Sequence, residues 1–165
     1  MSILAGKRLL VVDDEPDILE VLEQEIKMAS PTCTVDRATT YEQAVELLQK
    51  NTYDGVVLDI MGVRGFDLLQ MTVDKKLRTA MLTAHALNPE SLKKSHDMGA
   101  RAYLPKDKLG EMTPFLEDMF TYDYDSGWKR LLGKLEDYFD AQFERNWNRN
   151  RRYIIVEPED AEKTS

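Results

Sequence analysis

The chain has 165 residues, of which 42% are hydrophobic and 32% charged, and carries a net charge of −8. Those figures bound it to one domain, or one domain with an appendage, and exclude a disordered chain; the acidic balance argues against a nucleic-acid binder, which carries a basic face. With no apolar run of membrane-spanning length, no cleavage pattern in MSILAGKRLLVVDDE and a single cysteine, Cys33, the expected setting is the cytoplasm, away from membranes.

Residues 8–12, RLLVV, are a continuous apolar run suited to a strand buried on both faces, and they end in Asp13-Asp14-Glu15. Pro16 follows at the first turn of a helix carrying Ile18, Leu19, Leu22 and Ile26. Residues 33–38, CTVDRA, alternate as a second strand with Cys33 half-buried, and Thr39 or Thr40 caps a helix bearing Ala44, Val45, Leu47 and Leu48. Residues 54–58, DGVVL, form a third strand that delivers Asp59 at its end. A helix over 66–74, a strand over 78–82 ending at Thr83, a helix over 89–97 followed by Gly99, and a strand over 101–104 leading to Pro105-Lys106 complete five strand–helix alternations. That alternation predicts a parallel sheet with helices on both faces.

Beyond Leu109 the pattern changes. One helix lies within 108–120, with Pro114 kinking it or starting a second segment. Thr121–Ser126 reads as a turn. A long amphipathic helix over 127–148 then carries Trp128, Leu131, Leu132, Leu135, Tyr138, Phe139, Phe143 and Trp147 on one stripe, and the tail from Glu157 is frayed. The basic cluster Arg145, Arg149, Arg151 and Arg152 reads as a solvated helix end. The resulting division is a domain over 1–120 and a helical extension over 121–165.

In open parallel sheets ligands bind beyond the carboxyl ends of the strands. Asp13, Asp14, Asp59, Thr83 and Lys106 all fall at such ends. Three crowded carboxylates repel one another, and a hard divalent cation relieves that conflict; oxygen ligands and few protein contacts favour Mg²⁺. Asp59 then serves as a nucleophile towards phosphorus. Lys106, the Thr83 hydroxyl and the backbone N–H of Ala84 stabilise the oxygens of the transferring group.

At these residues the chain resembles the CheY-like receiver family of response regulators. The matching segments are Val12-Asp13-Asp14-Glu15, Asp59 after Val56-Val57-Leu58, Thr83-Ala84 after Met81-Leu82, and Gly99–Leu104 before Lys106. The resemblance spans about residues 7–120 and implies a flavodoxin-like, doubly wound five-stranded parallel (βα)5 sheet. It implies a phosphoacceptor signalling domain rather than an enzyme acting on a free substrate. Asp59 would be phosphorylated by a sensor histidine kinase or phosphotransfer protein. Asp13, Asp14, Asp59 and the main-chain carbonyl of Met61 would hold Mg²⁺, and Thr83 and Tyr103 would form a switch pair.

Two features depart from the family. The loop Ile60–Gly65 is short and lacks the usual Met-Pro pair, with Arg64 read as solvent-facing; Pro105 precedes Lys106 where the family commonly has proline after the lysine. His85 and His96 read as exposed bystanders. The residues after 120 are too few for a typical effector domain, so the aromatic helix is expected to dock on its own domain, pair with a second copy through 127–148, or receive a partner. The alternatives are a phosphate-independent interaction module, a flavodoxin-like cofactor binder and a phosphatase. The intact acidic set opposes the first. Acids where a phosphate loop is needed oppose the second, and Met61 in place of a second aspartate opposes the third.

Overall fold

A computed structural model of the chain describes residues 2–84 and 89–142. Five strands, β1 (Arg8–Val12), β2 (Thr34–Ala38), β3 (Gly55–Asp59), β4 (Arg78–Thr83) and β5 (Ala102–Pro105), pair in parallel in the order β2-β1-β3-β4-β5. They alternate with α1 (Pro16–Ala29), α2 (Tyr41–Lys50), α3 (Gly65–Asp74) and α4 (Pro89–Asp97). A 3₁₀ segment, Lys106–Glu111, leads into α5 (Met112–Thr121), and α6 (Tyr124–Gln142) follows. This is the flavodoxin-like doubly wound sheet. No described helix is long and apolar enough to cross a membrane.

The local chemistry explains the elements. All five residues of β3 are buried, as a strand covered on both faces requires, whereas the edge strand β2 buries only Ala38 fully. Pro16 opens α1, where a missing N–H costs nothing, and Leu19, Leu22 and Ile26 turn to the core. Thr40, rather than Thr39, caps α2: its hydroxyl accepts from the Gln43 N–H at 3.1 Å, while the Gln43 side chain accepts from the Thr39 N–H at 2.9 Å. Pro114 lies in the first turn of α5, so it starts a segment and kinks nothing. Val12 pairs with Leu58, so the next residues, Asp13 just beyond β1 and Asp59 at the end of β3, come side by side.

Three expectations need correction. Tyr124, Asp125 and Ser126 are helical, not part of a turn, and α6 begins three residues earlier than the stripe predicted. The cause is Asp123, whose carboxylate accepts from the Ser126 N–H at 2.8 Å and caps the helix. Cys33 is fully buried and precedes β2. His96 is not a surface bystander: its side chain is 18% exposed and lies against the rings of Tyr124 and Trp128, each 5.2 Å away. His85, Phe143, Trp147, the Arg145–Arg152 cluster and the tail lie outside the described residues.

The stripe of α6 packs on its own domain, against α5 and β5. Trp128, Leu131, Leu132, Leu135 and Phe139 are all at most 4% exposed. The Trp128 indole N–H donates to the Ala100 carbonyl at 2.9 Å, so the largest ring is buried with its polar atom satisfied. The Tyr124 hydroxyl donates to the His96 carbonyl, Lys134 pairs with Asp118 at 2.8 Å, and the Tyr138 hydroxyl donates to Asp107 at 2.9 Å. A dimer through the described part of residues 127–148 would therefore need another face of α6 or its release from this seat.

This packing makes α6 part of the cooperative unit. Trp128→Ala is expected to lower the unfolding free energy by about 3–5 kcal/mol, as for other large-to-small changes in a core. Urea unfolding followed by circular dichroism measures this. A loss below about 1 kcal/mol would mean that α6 contributes little to the folded core.

Candidate phosphoacceptor site

The carboxyl ends of β1, β3, β4 and β5 converge on a cleft of about 140 Å³ lined by Asp14, Glu15, Asp59, Met61, Thr83, Ala84 and Lys106, among others. Asp13 lies beneath it, fully buried. Every polar side chain expected from the sequence at these strand ends is brought together here. Tyr103 is set apart: it is fully buried in β5, its hydroxyl 2.6 Å from Ser91 Oγ and its ring 6.2 Å from that of Phe139.

Lys106 is the cation of the cluster. Its Nζ stands 2.9 Å from Asp13, 3.1 Å from Glu15 and 3.1 Å from Asp59. Glu15 was missed by sequence reasoning, although its place directly after Asp13-Asp14 was a usable signal. Asp13 also accepts from the Glu15 N–H at 2.9 Å, so it helps to shape the entry to α1 as well as the site. Pro105 before Lys106 is accommodated with no cis peptide bond among the described residues.

Three carboxylates thus contact one ammonium, and the Asp14 carboxylate lies beside two of them. Burial, then the Asp13 charge, push the Asp59 carboxyl up to about 7 against the opposing pull of Lys106. Burial also raises Asp13. For Lys106 burial acts downwards, but Asp13, Asp59 and Glu15 outweigh it, and the ammonium is held well above its ordinary value. Among the described residues the Thr83 hydroxyl is buried with no hydrogen-bond partner, and Asp13 Oδ2 has its ion-pair contact but no aligned hydrogen bond. Such unsatisfied buried oxygens are costly unless a ligand completes them.

The donor set fits a hard divalent cation. One carboxylate oxygen from each of Asp13, Asp14 and Asp59 lies within 4.8 Å of the other two. All are hard oxygen ligands, and the cluster's charge is negative even after Lys106 is counted.

The short loop after β3 is folded tightly against these groups. A Cβ at Gly65 would overlap the Asp59 carbonyl, and Gly62, at φ +85°, lies where a side chain would strike the Asp14 carboxylate. Arg64 takes a left-handed φ of 56°. Its guanidinium sits 4.1 Å from the Tyr41 ring centroid and pairs with Asp67 at 2.9 Å. It is therefore engaged with its neighbours on α2 and α3 rather than with the Asp59 cluster.

The family model of the response regulator receiver domain matches residues 9–114. Over 107 residues the chain is 33% identical to the transcriptional regulatory protein TcrA of Mycobacterium tuberculosis, covering 62% of this chain and 41% of that relative. Over 106 residues it is 33% identical to the two-component response regulator ARR12 of Arabidopsis thaliana, covering 61% of this chain and 17% of that one. The chain thus spans less than half the length of these curated relatives. A response regulator from Chloroflexus aurantiacus J-10-fl is similar in structure, with a TM-score of 0.62 and 27% identity over 71% of this chain and 99% of that one. A response regulator from Thermotoga maritima has the same fold, with a TM-score of 0.64 at 16% identity, over 71% of this chain and 99% of that one. The match over residues 9–114, on a sheet of the same topology, makes the chain a member of the response regulator receiver domain family of two-component signalling.

Proposed function

We propose that Asp59 is the phosphoacceptor of this receiver and takes its phosphoryl group from a phosphohistidine on a sensor histidine kinase or phosphotransfer protein. The observation that carries this reading is the buried Asp59 carboxyl, 3.1 Å from Lys106 and grouped with Asp13 and Asp14 in a cleft whose Thr83 hydroxyl has no partner. Residues 1–120 are the phosphoacceptor unit and residues 121–165 its extension, and the proposed setting is the cytoplasm.

Asp13, Asp14, Asp59 and the main-chain carbonyl of Met61 are the groups that would hold Mg²⁺. When bound, the ion offsets the carboxylate repulsion and neutralises charge on the transferring phosphoryl group. An Asp59 oxygen forms the new P–O bond as the P–N bond to the donor imidazole breaks, the electron pair remaining on the leaving ring. Lys106 supplies positive charge to a phosphoryl oxygen, and the Thr83 hydroxyl and Ala84 N–H donate to others. The reaction is a self-assisted modification, so the domain acts as a signalling element. Thr83 and Tyr103 are the switch pair: the Thr83 hydroxyl turns to the phosphoryl group and the Tyr103 ring turns inward, to the kind of buried position it occupies here beside Ser91.

Intact-mass spectrometry after incubation with acetyl phosphate and Mg²⁺ is expected to show one added phosphoryl group. Asp59→Asn and a chelator should each abolish it. An adduct that survives Asp59→Asn would place the acceptor elsewhere.

The raised Asp59 carboxyl also gives a pH signature. Metal binding requires the ionised carboxylate, so protons compete with Mg²⁺ below about pH 7. Apparent affinity should fall by up to about tenfold per pH unit below that point and level off above it. In the metal-free protein the same shift makes ionisation of Asp59 unfavourable to folding. Its contribution to stability therefore declines as pH rises from about 4 to about 7. Calorimetric Mg²⁺ titrations between pH 5 and 8 measure the first effect, and a pH-independent affinity would contradict it.

A further inference from the structure

The end of the sheet opposite Asp59 holds a second concentration of charge, of the opposite sign. Arg78 opens β4, and Arg101 directly precedes β5, its N–H donating to the Thr79 carbonyl at 2.7 Å. The two side chains line a cavity of about 840 Å³ together with Lys76, Val73, Leu77 and Tyr124. The last turn of α4, through His96 and Asp97, closes one side of it.

Arg101 is placed unusually for a guanidinium. Its Nη1 is buried without a hydrogen-bond partner, and its Cζ lies 5.6 Å from the Tyr124 ring centroid. Among the described residues it forms no ion pair. Arg78 is anchored, donating to the Met119 carbonyl at 2.7 Å, but that carbonyl brings no neutralising charge. The one acid lining the cavity, Asp97, is already engaged by Lys93 and by His96. Burial, then the neighbouring Arg78, act against the charged form of Arg101, while Tyr124 and the Asp123 carboxylate offset part of that. A guanidinium does not give up its proton to escape such a position, so whatever Asp123 and the Tyr124 ring leave uncompensated stays in the structure until a further anion offsets it.

We propose that this cavity binds a small organic oxyanion, a carboxylate or a phosphate monoester. Arg101 and Arg78 hold the anionic group, with Lys76 at the rim, and Val73, Leu77 and the Tyr124 ring receive its apolar part. Arginine presents a planar fork of donors that matches carboxylate and phosphate oxygens. The size of the cavity selects an organic ligand over a bare ion, since a water molecule occupies only about 30 Å³ and small-molecule sites span roughly 300–1,000 Å³. Because Tyr124 begins α6 and His96 lies in the last turn of α4, the ligand would bridge the helical extension and the receiver core.

The test is a titration of the whole chain carrying Asp59→Asn, with chelator present so that the acidic cleft is silent. The probes are phenyl phosphate, benzoate and inorganic phosphate, with chloride at matched ionic strength as control. The readout is the arginine Nε–H region of the ¹⁵N–¹H spectrum. A saturable shift of the Arg101 signal by phenyl phosphate or benzoate is expected, at least tenfold tighter than by inorganic phosphate. The stronger of the two organic probes identifies the anionic group. Arg101→Gln should abolish the binding and Lys76→Gln weaken it several-fold; should Arg101→Gln fail to fold, the exposed Lys76→Gln decides alone. Equal responses to the organic probes and to chloride, or binding unchanged in a folded variant, would overturn the proposal.

Discussion

Lys106 stands 2.9 Å from Asp13 and 3.1 Å from both Glu15 and Asp59, and the rest of the molecule can be understood as the scaffold that keeps these groups together. One ammonium cannot neutralise four carboxyl groups, and burial makes the mismatch worse by removing water. The parallel register brings this about. Once Val12 is opposite Leu58, the two following aspartates have no choice but to emerge as neighbours. Fully buried β1 and β3 residues on either side supply the apolar burial that offsets so unfavourable a cluster.

Much of this was legible in the sequence because it is carried by short-range patterns. Five apolar runs separated by helical periodicity specify the sheet, and the acids, threonine and lysine sit at the ends of those runs. What was not legible came from contacts distant in sequence or from a local cap that outweighed composition. Tyr-Asp-Ser-Gly has the composition of a turn, yet the Asp123 carboxylate on the Ser126 N–H starts a helix there. The stripe of α6 announced that it must be buried, but periodicity says nothing about the surface that receives it. That surface is defined by the Ala100 carbonyl, 28 positions before Trp128, and by β5. His96 was misread for the same reason, since its covering rings belong to α6.

The docked helix meets β5 and its exit at informative places. Phe139 packs beside Tyr103, and Tyr138 donates to Asp107, the residue directly after Lys106. A rearrangement that moved Lys106 or Tyr103 would therefore be felt at α6 without any long relay, because the same short stretch of chain serves both. Interiors packed to near-crystalline density accommodate such shifts as discrete repackings rather than gradual deformation. Coupling of this kind still requires that the two states differ in free energy at α6, and contact alone does not supply that difference.

The energetic logic of the two ends of the sheet is the same with the signs reversed. At one end buried carboxylates outnumber their cation, and Asp59 responds by rising to about 7. At the other, Arg101 is held beside Arg78 with Nη1 unpartnered, and it has no comparable way to discharge. An acid can lower its local cost by taking a proton. An arginine must instead be offset by packing elsewhere or by an anion. That a chain of net charge −8 leaves this cation with no ion pair among the described residues, beside a second arginine and with only Asp123 acting on it from a distance, is the harder of the two arrangements to explain by stability alone.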